Sequence, residues 1–368
     1  MQPFLAFVLL LHVLLSVYPI GFVRGFFEKR FRVNERIGES SPGLTKSDTA
    51  SSTSLDKTQK PVPKGIKPQF VLISFDGSKN LEMWEETRRF AREMTGAGKP
   101  LHFTYFISGV YFLPPNKAYL YHPPLFPPGT SRIGFSDTPA EIPSRVEEVK
   151  EALKEGNEIA SHLSGHFAAG SLWGKGAWTS EITQFKSLLS NVGPNAGSPE
   201  IEFPNLGIIT GIRTPNLSKN LSLYESLGEA GFTYDSSYVG KPNDLPYKIG
   251  KIWEVPLKDI PLWGTKQTVI SMDYNFWSRQ SDAKDIAKKG TALYNKFHDQ
   301  MLKSYQEYFS SVYSGNRAPV VIGHHFSLWN DGVYWQALKD FVAEVCGIPD
   351  VYCTTFSTYV NYLNSTGK

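Results

Sequence analysis

The chain is poor in cysteine, with two in 368 residues, Cys346 and Cys353. Two thiols do not make a structural zinc site by themselves. In an exported protein they would close one disulfide around the loop 347–352, and otherwise they are two buried thiols. Excess charge of either sign is also missing. The 38 basic and 35 acidic residues leave a formal net charge of +3, and the Lys and Arg are scattered. That excludes the basic stripe by which proteins grip nucleic acid. No internal repeat is visible. Past Phe27 no apolar run is long enough to span a bilayer. The one long run, 4–23, has no Lys or Arg ahead of it and no clear small-x-small cleavage site behind it. It still resembles an export signal or an uncleaved anchor. Residues 1–24 are therefore expected to be an export signal or a membrane anchor acting through 4–23. The protein is expected to be secreted, in the cell envelope, or membrane-anchored outside the cytoplasm.

What is present is apolar and aromatic. Hydrophobic residues make up 41% of the chain and aromatics 14%, enough for a large core. Residues 25–67, rich in Ser, Thr, Lys, Gly and Pro, are expected to be a flexible linker. At residue 69 the pattern changes. Phe70-Val71-Leu72-Ile73-Ser74-Phe75 is the near-continuous apolar run of a strand buried on both faces. A helix is expected over 81–94, closed by Gly96 and Gly98, and a strand over 101–107. Residues 111–143 break this rhythm with eight prolines. They predict a long structured loop that serves either as a substrate-facing wall or as surface elaboration. Further helices are expected over 143–156, 180–189, 222–230, 283–309 and 334–344. Strands are expected over 157–161, 207–213, 232–234, 251–256, 269–272, 319–322 and 351–355. This alternation over 68–364 predicts an α/β domain with a parallel sheet, open or closed into a barrel.

Polar residues recur where the apolar strands stop: Asp76, His162, Arg213, Asp235 and His324. In barrel-type α/β folds those ends share one mouth. His162 and His166, four residues apart, have the spacing to face one cation. Two neutral imidazoles would leave the ion open to water, lower that water's pKa and let the ion polarise a carbonyl. Asp76 is the candidate base, Arg213 the group that orients it, and a His on another strand the acid. His102, His122 and His298 lack partner spacing and are expected to be ordinary side chains. Of Trp253, Trp263 and Trp277, one is expected to stack on a sugar ring. Asp273 is equally compatible with the cleft and with a surface turn.

These residues resemble the motifs of the polysaccharide deacetylases with a NodB homology domain, carbohydrate esterase family 4, and within them the chitin-deacetylase-like branch. Ser74-Phe75-Asp76 is similar to the first motif and His162-Leu163-Ser164-Gly165-His166 to the metal motif. Arg213-Thr214-Pro215-Asn216, Tyr234-Asp235-Ser236-Ser237 and Ile322-Gly323-His324-His325 are similar to the third, fourth and fifth. The resemblance implies a distorted (β/α) barrel. It implies a metal-dependent hydrolase removing N-acetyl groups from an N-acetylglucosamine polysaccharide, chitin or peptidoglycan glycan. The alternatives are a non-catalytic carbohydrate-binding derivative and an O-acetyl polysaccharide esterase. It also implies a divalent cofactor, Zn²⁺ first with Co²⁺ or another ion as alternatives, and a polysaccharide as partner. His162 and His166 would be ligands, Asp76 the base and a further possible ligand. Arg213 would orient the base, and the backbone N–H of Asn216 would serve the oxyanion. His324 would be the acid, tuned by Asp235 or a neighbour, with His325 as the alternative acid. One departure stands out: Gly77 occupies the place of the family's metal-binding Asp.

Overall fold

The alternation of side chains along one strand sets the frame. The structure is a computed structural model that describes residues 67–367, together with Val62 and Gly65. In it β1 (Gln69–Gly77) is buried from Gln69 through Asp76. Phe70 and Leu72 face one apolar cluster, while Val71, Ile73 and Phe75 face the other. Such two-sided burial belongs to the centre of a parallel sheet. The period of two carries Ser74 and Asp76 to the same side as Phe70 and Leu72. The segment 1–24 and nearly all of the linker expected over 25–67 lie outside the described residues. Among the described residues no helix is long and apolar enough to cross a membrane.

After β1 come α1 (Leu81–Gly96), β2 (Thr104–Ile107), α2 (Glu141–Lys154), β3 (Glu158–Ser161), α3 (Lys175–Ser190) and α4 (Val192–Ala196). Next are β4 (Gly211–Ile212), α5 (Leu221–Glu229), β5 (Tyr234–Asp235), β6 (Val239–Gly240), β7 (Tyr247–Ile249) and β8 (Ile252–Glu254). The rest is β9 (Leu257–Pro261), β10 (Thr268–Ile270), α6 (Asp273–Ser281), α7 (Ala292–Tyr313), β11 (Val320–His325), α8 (Trp329–Val345), β12 (Val351–Thr354) and α9 (Phe356–Ser365).

The main sheet has the order β11-β1-β2-β3-β4-β5-β8-β7, with β12 also on β1. Its pairs are parallel except β7 with β8. The sheet curls into a half-barrel, so the fold is the α/β, distorted-barrel type expected from the motifs. The inside of the curl is filled by α9. Its Phe356, Tyr359, Val360 and Leu363 share a cluster with Phe70, Leu72, Phe106, Tyr234 and Trp253. A small sheet, β10-β9-β6, leans on the free edge of β11, where Gly323 N–H donates to Ser271 O at 2.9 Å. Gly323 lets Met272 and Arg213 pack directly against the strand. A Cβ there would lie 2.5 Å from Met272 Cε and 3.3 Å from Arg213 Nη1.

The two cysteines form a disulfide, Cα to Cα 5.6 Å, joining the end of α8 to β12. Several helices depart from the sequence expectation. Asp273–Ser281 is helical where only a strand end was expected, and the following helix begins at Ala292 rather than at 283. The C-terminal α9 was not expected at all. Its aromatic and β-branched residues favour strand locally, but the open floor of the half-barrel rewards a helix that buries three of them, Phe356, Tyr359 and Val360, together with Leu363.

Candidate functional site

The parallel register decides which strand-end residues meet. Asp76 on β1 lies opposite His325 on β11, and Phe75 lies opposite His324. Because faces alternate, Asp76 and His325 point into the mouth while Phe75 and His324 point away. A pocket of about 380 Å³ is lined by Asp76, His162, His166, Asn216, Tyr274 and His325, with Thr214, Leu217, Ile270, Met272 and Asn275 completing its wall. His324, the first choice for the acid, lies outside it. Its ring packs edge-on against Phe75, and its Nε2 is 3.4 Å from Tyr305 Oη. Burial pushes the His324 pKa down to about 4, partly offset by Asp273.

Arg213 is the most heavily tied of the group. Its side chain is fully buried. Nη1 donates to Asp76 Oδ1 and to Ser74 Oγ, both at 2.8 Å. Nε donates to Ser236 O at 3.1 Å and Nη2 to Ser236 Oγ at 2.9 Å. The guanidinium lies 4.5 Å from the Phe106 ring centroid, a cation–π contact that supports its plane. Asp76 is thereby held in one orientation at the pocket floor.

Asp235 does not tune the acid. It is fully buried and accepts from Ser237 Oγ and from Tyr224 Oη, the latter at 2.9 Å. Its strand neighbour is Glu254, and burial raises the pKa of both carboxyls. Ser237 Oγ in turn accepts Thr214 N–H at 2.8 Å. The Tyr-Asp-Ser-Ser stretch therefore positions the Arg213 segment. The carboxylate beside His324 and His325 is Asp273, at the end of another apolar run, Val269-Ile270-Ser271-Met272. Asp273 is fully buried at the start of α6. It accepts His325 Nδ1–H at 2.7 Å and His325 backbone N–H at 2.8 Å. Burial pulls the His325 pKa down, but the charge and hydrogen bond of Asp273 outweigh it and leave the value raised.

His162 follows β3. Its Nδ1 donates to the Arg213 carbonyl at 2.8 Å, which fixes the tautomer and leaves Nε2 as a free lone pair. Burial lowers the His162 pKa to about 3, and burial with His325 nearby lowers that of His166. Both imidazoles are thus neutral, the form that binds a cation. Their ring centroids are 5.2 Å apart. Asn216 Nδ2 lies 3.4 Å from His166 Nδ1. Among the described residues no three His, Cys, Asp or Glu side chains stand close enough to hold a metal ion. Gly77 supplies none: at φ 83° a Cβ there would lie 3.8 Å from the Tyr111 ring, a residue outside the pocket. The donor set is two imidazoles, which fits a weakly held divalent cation with water in its other positions.

Aromatic residues wall one side. Tyr274, 46% exposed, lines the pocket. Behind it Trp277 stacks on Trp329, 4.3 Å between centroids and 3° between planes. Trp253 is buried inside the barrel, and Trp263 lies outside the pocket under Lys303. A polar groove of about 640 Å³ runs on from the pocket, sharing Ile270 and Asn275 with it. Asp259, Gln267, Thr268, Ser278, Arg279 and Asp282 line this groove.

No protein-family model matches the chain. No curated protein matches it either. Solved structures do. A protein from Mycobacterium smegmatis assigned as a polysaccharide deacetylase is 17% identical, at TM-score 0.49, over 87% of this chain and 96% of its own. A family 4 carbohydrate esterase from Streptomyces lividans, solved with acetate, is 14% identical at TM-score 0.39, over 78% and 91%. A peptidoglycan deacetylase from Bacillus subtilis is 11% identical at TM-score 0.40, over 82% and 95%. The likeness is one of chain path, too distant to carry any residue's role across.

Proposed function

We propose that this chain is a metal-dependent hydrolase that removes N-acetyl groups from a polysaccharide containing N-acetylglucosamine, chitin or peptidoglycan glycan. The observation that carries the reading is one pocket holding an Arg-oriented carboxylate, two neutral imidazoles and a third, Asp-backed imidazole. A divalent cation on His162 and His166, Zn²⁺ or Co²⁺, would polarise the acetyl carbonyl and supply Lewis acidity. Asp76, fixed by Arg213, takes a proton from the attacking water, whose oxygen bonds to the acetyl carbon. The backbone at Asn216 faces the developing oxyanion. His325, its Nδ1 proton held by Asp273, gives a proton from Nε2 to the sugar nitrogen as the C–N bond breaks. Acetate and an amine-bearing sugar leave. His325→Asn should lower kcat by about 100-fold or more. His324→Asn should lower the melting temperature and leave kcat close to wild type.

The groove running on from the pocket supports a polymer rather than a single sugar as substrate. Asp259→Ala and Arg279→Ala should raise KM for N-acetylglucosamine oligomers long enough to fill the groove, and leave both KM for the dimer and kcat unchanged. Acetate release across an oligomer series, with acetylated xylan alongside, tests the reading. Release from xylan and none from any chitin oligomer or peptidoglycan would replace the amidase by an ester hydrolase. A second reading, a sugar-binding protein without catalysis, is favoured by one observation, Gly77 in the place of a third ligand. It requires oligomer binding that survives His162→Ala and no acetate release with any metal.

A further inference from the structure

The loop between the two imidazoles is held in a shape its sequence does not prefer. Leu163 at φ 57° and His166 at φ 58° both occupy the left-handed region, where a residue with a Cβ is strained. Such a shape persists only if its surroundings over-determine it, and here they do. Gly109 N–H donates to Leu163 O at 2.7 Å and Arg132 N–H to Gly165 O at 2.9 Å. Ser164 N–H donates to Glu181 Oε1 at 3.0 Å, and Gly165 N–H to Tyr121 Oη at 3.0 Å. Tyr121 Oη then donates to Glu181, 2.8 and 2.9 Å from its two oxygens. One phenol and one carboxylate thus take both amide protons at the middle of the loop.

Neither side chain reaches the pocket. Tyr121 is 0% and Glu181 1% exposed. A carboxyl group this deep in an apolar core is costly unless its hydrogen bonds are used, and an apolar residue would fill the same space more cheaply. Gly165 is shaped to the same purpose. A Cβ there would lie 2.7 Å from Tyr121 Oη and 2.3 Å from the Phe167 ring. Phe167, next after His166, is stacked on Phe126 with 4.2 Å between centroids. Tyr121, Phe126 and Arg132 all come from the proline-rich stretch 111–143. That stretch grips the back of the His loop instead of forming a wall of the pocket.

We infer that Tyr121 and Glu181 form a clamp on the Ser164 and Gly165 amides that fixes the spacing of His162 and His166, and so sets the affinity of that pair for a divalent cation. The inference rests on the reading of His162 and His166 as ligands. Tyr121 and Glu181 are positioning residues, acting through the backbone. Loss of a partner bonded directly to a metal ligand weakens binding by about 10–100-fold; a clamp that acts through the backbone between the ligands is expected at the lower end of that range.

The test is Co²⁺ affinity of the full-length, metal-stripped protein, by competition with a chromophoric chelator, together with the visible d–d spectrum of the Co²⁺ form. Tyr121→Phe and Glu181→Leu should each weaken Co²⁺ by at least about tenfold and alter the spectrum. Glu181→Gln, which keeps an oxygen for Ser164 N–H, should remain near wild type. Phe309→Leu, a core change in α7 where Phe309 packs on Tyr313 and Phe341, should lower the melting temperature without moving either readout. Tyr121→Phe and Glu181→Leu binding Co²⁺ as tightly as wild type, with the same spectrum, would overturn the clamp alone. Wild-type protein that binds no Co²⁺ would overturn the ligand reading, and the clamp with it, before any variant is compared.

Discussion

Asp76→Asn should lower kcat for acetate release by about a thousandfold, within the range general bases contribute, and leave the fold intact. The amide is isosteric and keeps an oxygen for Arg213 Nη1, now at 2.8 Å, so the pocket floor keeps its shape. What disappears is the proton acceptor beside the imidazole pair. Substrate contacts to the groove and the aromatic wall are untouched, so KM should change little. That pattern, kcat lost and KM kept, marks an interaction made only in the transition state. Activity within a few-fold of wild type would remove Asp76 as the base and leave His325 as the one pocket group able to serve.

Arg213→Met should be the most damaging single change to stability. The guanidinium makes four hydrogen bonds, to Asp76, Ser74 and twice to Ser236. Its partner Asp76 is 5% exposed. Removing one member of a buried ion pair strands the other charge, at a cost of about 3–5 kcal/mol. Denaturant unfolding should show that loss. The double variant Asp76→Asn, Arg213→Met should recover part of it, because no uncompensated charge is left. A cycle in which the two losses simply add would mean that the pair is not energetically coupled.

Much of this site was legible in the sequence, because parallel strands end at one mouth and the strand-end residues could be read off one by one. Asp76, His162, His166, Arg213 and Asn216 all come together. Counting motifs leaves the His doublet open; strand parity decides only which of the two lines the pocket. Phe70 and Leu72 inward put Asp76 inward, and the register with β11 puts His325 beside it. Asp235 carried the same strand-end signal as Asp76 yet serves a different network, because its neighbour across the sheet is another carboxyl, Glu254. For Asp273 the sequence leaves cleft and surface turn equally open, because nothing local announces α6, and without that helix nothing aims the carboxylate at His325. α9 was missed for a related reason: its packing partner is the empty floor of a half-barrel, a property of the whole sheet. The Tyr121–Glu181 contact joins residues sixty apart, and no local pattern announces it.

The most direct test of the central claim is acetate release from N-acetylglucosamine oligomers by chelator-treated protein, before and after resupply of Zn²⁺ or Co²⁺, in wild type and His162→Ala. Release should vanish on chelation, return with metal in the wild type, and not return in the variant. Equal release with and without metal, or no release in any condition from folded protein that binds the oligomers, would contradict it.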